Sequence, residues 1–277
     1  MRPAIQNAIK VLALLAIFPV VVFYLAFWSI PGSAAATEDQ DVIRNLSGGA
    51  EVNWTRMEVA RWEEGRSFGV GGKQPAVEQQ LRAKIGTVLK NAVLEVQVGL
   101  TDSIGDLIDG SPLGKTIKSR VNLWSVAEAI YYSSGRVRLK GAISLAEFLR
   151  PWVIENAVEP PEHPGATPYS GVVVDARGLG LVPCFSPVIK DSEQKVLYGG
   201  EVWKSVAIKT TPVQYVADAA DPRASKRAGS NPWFLTPSYV SGCQVFLDNE
   251  QSEHFRRNLH RSIILGEGRL VVVVEPS

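Results

Sequence analysis

Residues 171–200, GVVVDARGLGLVPCFSPVIKDSEQKVLYGG, constrain the fold more tightly than any other part of the chain, because side-chain alternation and turn residues delimit strands one by one. Val172, Val174 and Ala176 share one strand face, and Val173, Asp175 and Arg177 share the other. A carboxylate and a guanidinium two residues apart on a strand are neighbours, so Asp175 and Arg177 read as a strand-surface ion pair rather than an acid/base couple. Gly178 and Gly180 break that strand. Residues 182–190 and 195–203 read as a hairpin around Asp191-Ser192-Glu193-Gln194, with Pro183 and Pro187 suited to an edge or a bulge.

The first 36 residues bear on compartment. Arg2 and Lys10 precede residues 11–30, which carry no charge, and Ser33-Ala34-Ala35-Ala36 follows. This pattern predicts a signal peptide or an uncleaved N-terminal membrane anchor, with the rest of the chain exported to the periplasm or the outer membrane. An uncleaved segment would hold the protein at the inner membrane, and residues 11–30 are then its only membrane contact. The formal net charge is +1, so no long-range field gathers nucleic acid. A composition of 45% hydrophobic and 21% charged residues suits ordinary packed cores.

The predicted organisation is α+β, in two small domains, each a mostly antiparallel sheet covered by one or two amphipathic helices. Residues 37–49 are expected as a linker, 50–153 as domain one, 154–168 as a proline-rich linker and 169–277 as domain two. In domain one, residues 51–67 predict a strand or hairpin. After Pro75, Val77, Leu81, Ile85, Val88, Leu89, Ala92 and Val96 recur at helical spacing. Asp102, Asp106 and Asp109 are spaced as on the outer face of a short helix, not as ligands of a calcium loop. Residues 125–132 and 136–143 predict a strand pair turned by Ser133-Ser134-Gly135.

In domain two, residues 211–219 read as a short helix, the basic run Arg223, Lys226 and Arg227 as a solvated loop, and NPWFLTP at 231–237 as a proline-bracketed aromatic turn. Asp248 and Gln251 have capping-box spacing ahead of a helix whose stripe is Phe255, Leu259 and Ile263. Residues 270–274 predict a central strand buried on both faces. Trp233 and Phe234 are either core plugs or an interface, and Trp203 is an exposed interface candidate. Cys184 and Cys243, 59 positions apart, permit a disulfide in an exported protein, and two buried thiols are the alternative. His163, His254 and His260 lack metal-ligand spacing and read as solvent-facing. No catalytic residues, cofactor or metal site are implied, and an enzyme is not expected.

DARGLG at 175–180, the proline-containing strand after it, the acidic turn and Tyr198-Gly199 resemble, in that order, the C-terminal domain of FlgP-like bacterial envelope proteins. Val52-Asn53-Trp54, the helix from Ala76, Thr101-Asp102-Ser103, the hairpin at Gly135, Asn231-Pro232 and the terminal strand extend the likeness along the chain. No cysteine follows the apolar run, which excludes the lipid anchor of some relatives. The resemblance implies a non-catalytic, homo-oligomeric structural protein of the cell envelope, docking with other envelope proteins in flagellum-associated rings or disks. The alternative is an envelope binding module that takes a glycan, a lipid or a secreted protein on exposed tryptophans such as Trp203 and Trp233.

Overall fold

Alternation in the first half builds an antiparallel sheet around one long helix. The computed structural model describes residues 40–67, 74–259 and 262–276, so the expected signal or anchor at 1–36 lies outside the described residues. Strands β1 (Ile43–Asn45), β2 (Glu51–Asn53) and β3 (Glu58–Arg66) lead to helix α1 (Gln74–Ala92), short helices α2 (Ile104–Gly110) and α3 (Gly114–Ser119), and strands β4 (Ser125–Tyr131) and β5 (Arg136–Ser144). The strand order is β1-β2-β3-β5-β4, with β3 and β5 paired from Glu58↔Ser144 to Arg66↔Arg136. Leu81, Ile85, Leu89 and Ala92 of α1 are buried against this sheet. Gly141 of β5 lets the helix close: a Cβ there would lie 2.3 Å from Ile85. Ser103 and Asp106 form a reciprocal capping box on α2, so Asp106 is an N-terminal cap residue and Ile104 is the buried anchor.

Helices α4 (Leu145–Phe148) and α5 (Arg150–Glu155) lead into the second half, which contains β6 (Gly171–Asp175), β7 (Val188–Lys190), β8 (Val196–Tyr198), β9 (Gln214–Val216), α6 (Pro222–Ala228), β10 (Pro232–Leu235), β11 (Tyr239–Ser241), β12 (Gln244–Phe246), α7 (Asn249–Asn258), α8 (Ile263–Gly266) and β13 (Leu270–Val273). One sheet runs β10-β6-β13-β9, and a mixed one β11-β12-β7-β8. The protein is therefore α+β. All three pairings of the first of these sheets are parallel, which corrects the expected mostly antiparallel arrangement. The physical reason lies in VVV at 172–174 and LVVV at 270–273, runs without a polar face that are buried on both sides, as in parallel sheets. Helix α6 covers Val173, Val216, Val271 and Val273 on one face, whereas Val172, Val174, Tyr215, Leu270 and Val272 join the large core on the other. That core is shared by both halves, and Trp54 meets Tyr215 edge to face at 5.8 Å within it.

Other segments also depart from expectation. Residues 40–49 of the expected linker carry β1, and Val42 is fully buried. Residues 211–219 hold β9 rather than a helix, and 231–237 hold edge strand β10 rather than a turn. In both places short strands borrow their hydrogen bonds from distant partners, which local composition does not reveal. The basic run lies on α6, capped by Asp221. Helix α7 starts at the predicted Asp248 cap, whose side chain accepts from the Gln251 amide at 2.7 Å, but Ile263 is exposed and begins the separate α8. The hairpin at 182–203 is reduced to β7 and β8, whose turn is organised by Asp191: its carboxylate accepts from the amides of Glu193 (2.9 Å) and Lys195 (2.8 Å) and from Arg256.

Candidate functional site

Trp233 and Phe234 sit side by side on β10 and face opposite ways, as adjacent strand residues must. Trp233, in register with Val172, stacks on Tyr169 (ring centroids 6.0 Å apart) and on His254 of α7 (4.6 Å). The Tyr169 hydroxyl and His254 Nε2 are hydrogen-bonded at 2.9 Å. His254 is thus half-buried in an aromatic cluster, not solvent-facing, and the cluster pins α7 and the incoming chain to the sheet edge. His163 is exposed, and His260 lies outside the described residues. Phe234 shares the α6 face of the sheet with Val173 but is 61% exposed. Of the three aromatics offered as an interface, Phe234 is the most exposed.

Trp203 is only 9% exposed, so it is not an exposed ligand platform. Its amide donates to the Gly266 carbonyl at 2.8 Å, and its indole lies against Gly266, where a Cβ would come within 2.2 Å of the ring. Trp203 instead forms a wall of a cavity of about 370 Å³ with Val158, Leu197, Tyr198 and Leu265. A neighbouring cavity of about 220 Å³ lies between Trp152, Ser186, Gly199 and Pro212, and Glu201 borders both. The proline-rich segment crosses this region as a strap: the Val158 amide donates to the Val202 carbonyl and the Lys204 amide to the Val158 carbonyl, both at 3.0 Å.

Carboxyl ends of parallel strands are a common ligand position. Here Asp175 ends β6, Asp218 follows β9 and Glu275 follows β13. Arg177 donates to both Asp175 oxygens (2.8 and 2.5 Å) and holds that carboxyl below the usual carboxylate range. Glu275 accepts from the Gly178 amide, which likewise keeps it ionised. Asp218 accepts from the Ala220 amide at 2.9 Å, so all three carboxylates bond to the protein itself, and among the described residues no group of three His, Cys, Asp or Glu is placed to hold a metal ion.

Cys184 and Cys243 are joined by a disulfide, with their Cα atoms 5.9 Å apart. It ties the chain beyond β6 to the β11–β12 turn. Beside it the buried Tyr215 hydroxyl donates to the Cys184 carbonyl (2.9 Å) and accepts from the Cys184 amide (3.1 Å). Burial pushes that phenol far above its ordinary range, so it remains a neutral hydrogen-bonding strut.

Two structural ionic sites had no local signal in the sequence. Asp41 accepts from Asn53 (2.8 Å), Arg56 (2.6 Å) and Arg223 (2.8 Å), linking β1 and β2 to α6 across 182 residues. Arg227, in the last turn of α6, donates to the carbonyls of Gly268 and Thr211, and burial draws its guanidinium down to about 10. Arg223 and Arg227 therefore work inside the fold, which corrects their reading as a solvated loop. Arg223 also pairs with Asp221 two residues before it, but the bond from Arg223 to Asp41 and those from Arg227 join segments that only the fold brings together.

Residues 171–276 match the family model of the second domain of Treponema pallidum Tp0624. The match begins at β6 and ends just past β13, so it covers the parallel sheet, the mixed sheet and the disulfide as one unit. The second half is thus similar to a bacterial domain found as one part of a larger protein. No curated protein matches the chain.

Proposed function

We propose that the protein is a non-catalytic, exported structural component of the bacterial cell envelope, which assembles with itself and with other envelope proteins, and that its place is in a flagellum-associated ring or disk. The observation that carries the exported reading is the Cys184–Cys243 disulfide, since such bonds persist in oxidising compartments and are rare in a mesophile's cytosol. The charge-flanked apolar run at 11–30 agrees with it, and the likeness to a Treponema pallidum domain agrees with a bacterial setting. The flagellar part rests on the FlgP-like order of motifs. A tagged chromosomal copy, quantified in detergent-extracted basal bodies against an unrelated periplasmic protein, tests it: enrichment is expected, and recovery only with bulk envelope removes the flagellar assignment.

A second reading, an envelope binding module for a glycan, lipid or secreted protein, is favoured by the 370 Å³ cavity, which is lined by apolar side chains with Glu159, Glu201 and Ser262 among them. It differs in its test. Narrowing the cavity with Leu197→Trp abolishes ligand capture under this reading and leaves assembly intact.

A further inference from the structure

Most strands at sheet edges in this protein are short: β1, β8, β9 and β11 have three residues each, and β10 has four and begins at a proline. Strand β4 is different. It has seven residues, SVAEAIY, and β5 is its only strand neighbour among the described residues. Ser125, Ala127, Glu128, Ala129 and Tyr131 are exposed, and Glu128 is the strand's one charged side chain. A register shift between Val126 and Glu128 breaks the strand's first half, which leaves residues 128–132 as the regular part of the edge.

The direction of the backbone groups follows from the ladder. The Tyr132 amide donates to the Arg136 carbonyl at 2.9 Å, and bonded residues alternate along an antiparallel pair. Ile130 and Glu128 therefore bond to β5, whereas Ala129 and Tyr131 turn their N–H and C=O groups to the open edge. Such an edge binds another strand through its main chain.

We infer that this edge pairs with β4 of a second copy of the chain, antiparallel about a two-fold axis at Ile130, and joins two five-stranded sheets into one of ten. The register is set by the strand's own complementarity. With Ile130 opposite Ile130, Ala129 of each copy lies opposite Tyr131 of the other, and these two pairs exchange four backbone hydrogen bonds. On the α1 side the small Ala129 leaves room for the Tyr131 ring, which is 52% exposed and held at its hydroxyl by Glu78 at 2.9 Å. On the opposite face the two Ile130 side chains meet. Glu128 faces Tyr132 of the other copy, on whose ring the Arg136 guanidinium lies 4.0 Å from the centroid, so each lone acid meets a cation. Sliding the register by two residues, to centre on Glu128, sets the two carboxylates against each other. An isologous contact of this kind closes as a dimer. The inference deepens the assembly reading and rests on it for its biological meaning, but strand pairing and envelope recovery are measured separately, so either fails alone.

The test uses the full chain in mild detergent, with mass measured by sedimentation. Ala129→Pro removes an outward donor and leaves the bonds to β5 in place, so it is expected to weaken the dimer about a hundredfold while the circular dichroism spectrum of the native fold stays unchanged. Ile130→Cys is expected to form a covalent dimer on mild oxidation, because opposed residues of a non-hydrogen-bonded pair lie within disulfide reach, and Val196→Cys on the short edge β8 is the control. A monomeric wild type, a natively folded Ala129→Pro protein that still dimerises, or an Ile130→Cys protein that cross-links no faster than the control each overturns the pairing. Should Ala129→Pro fail to fold, the cysteine comparison decides.

Discussion

Single side chains here are mostly committed to holding distant segments together. Asp41 is the clearest case. Burial of its carboxyl opposes ionisation, but hydrogen bonds from Asn53, Arg223 and Arg56 outweigh it and hold the group below its ordinary range. A carboxyl with a depressed folded-state pKa stabilises the fold above its unfolded value, near pH 4, and that stabilisation is lost as pH falls through the folded value. Asp41→Asn is accordingly expected to cost about 1–3 kcal/mol at neutral pH, with the gap from wild type narrowing below about pH 4 in urea titrations at stepped pH. Gly266 makes a steric counterpart. Its missing side chain is occupied by the Trp203 indole, so Gly266→Ala forces the ring or the α8 backbone to move. A loss of about 1–3 kcal/mol is expected, whereas Gly165→Ala, where a Cβ meets nothing within 4 Å, leaves the melting temperature unchanged.

At the scale of elements, a strand's position within its sheet decides what a substitution does. Leu270 lies on β13 between β6 and β9 and is 1% exposed, while Phe234 lies on edge strand β10. Leu270→Ala should cost about 2–5 kcal/mol in chemical denaturation, and Phe234→Ser should stay within about 0.5 kcal/mol of wild type. The centrality of β13 was legible in the sequence, because five consecutive apolar β-formers have no wet face to present. Helix α1, the β4–β5 hairpin and the Asp248 cap were legible for the same kind of reason, since periodicity and capping are local. β9 and β10 were not. Gln214–Val216 is too short to show a period, and Pro232 in a run read as a turn concealed a strand whose pairing with β6 comes from 61 residues away. The disulfide was legible only as an option, since spacing alone does not bring two Cα atoms within reach. The cavity beside Trp203 was not legible at all: its walls come from the strap, β8, the residue that ends α7, and α8.

The molecule as a whole is tied across its midline. Trp54 from the first half packs on Tyr215 from the second, and the Gln214 side-chain amide donates to the Thr55 carbonyl at 2.7 Å. Replacing Trp54 by alanine is expected to cost about 3–5 kcal/mol. The loss should appear equally in a probe of either half, for instance in amide exchange of β5 and of β13 followed together; if only β5 exchange accelerates, the two halves are energetically separate.

The position of β13 also has a consequence in time. Chain order places β6 and β9 well before β13, yet these two strands are not neighbours, and β13 fills the space between them. A chain made from its N-terminus presents residues 270–273 after every other described strand has emerged. Until they arrive, β9 has no strand beside it and the inner edge of β6 stands bare. Completion of the sheet therefore waits for β13, and a chain that lacks it presents sticky edges for chaperones or proteases to seize. The four residues of β13 act as the keystone that ends this vulnerable interval.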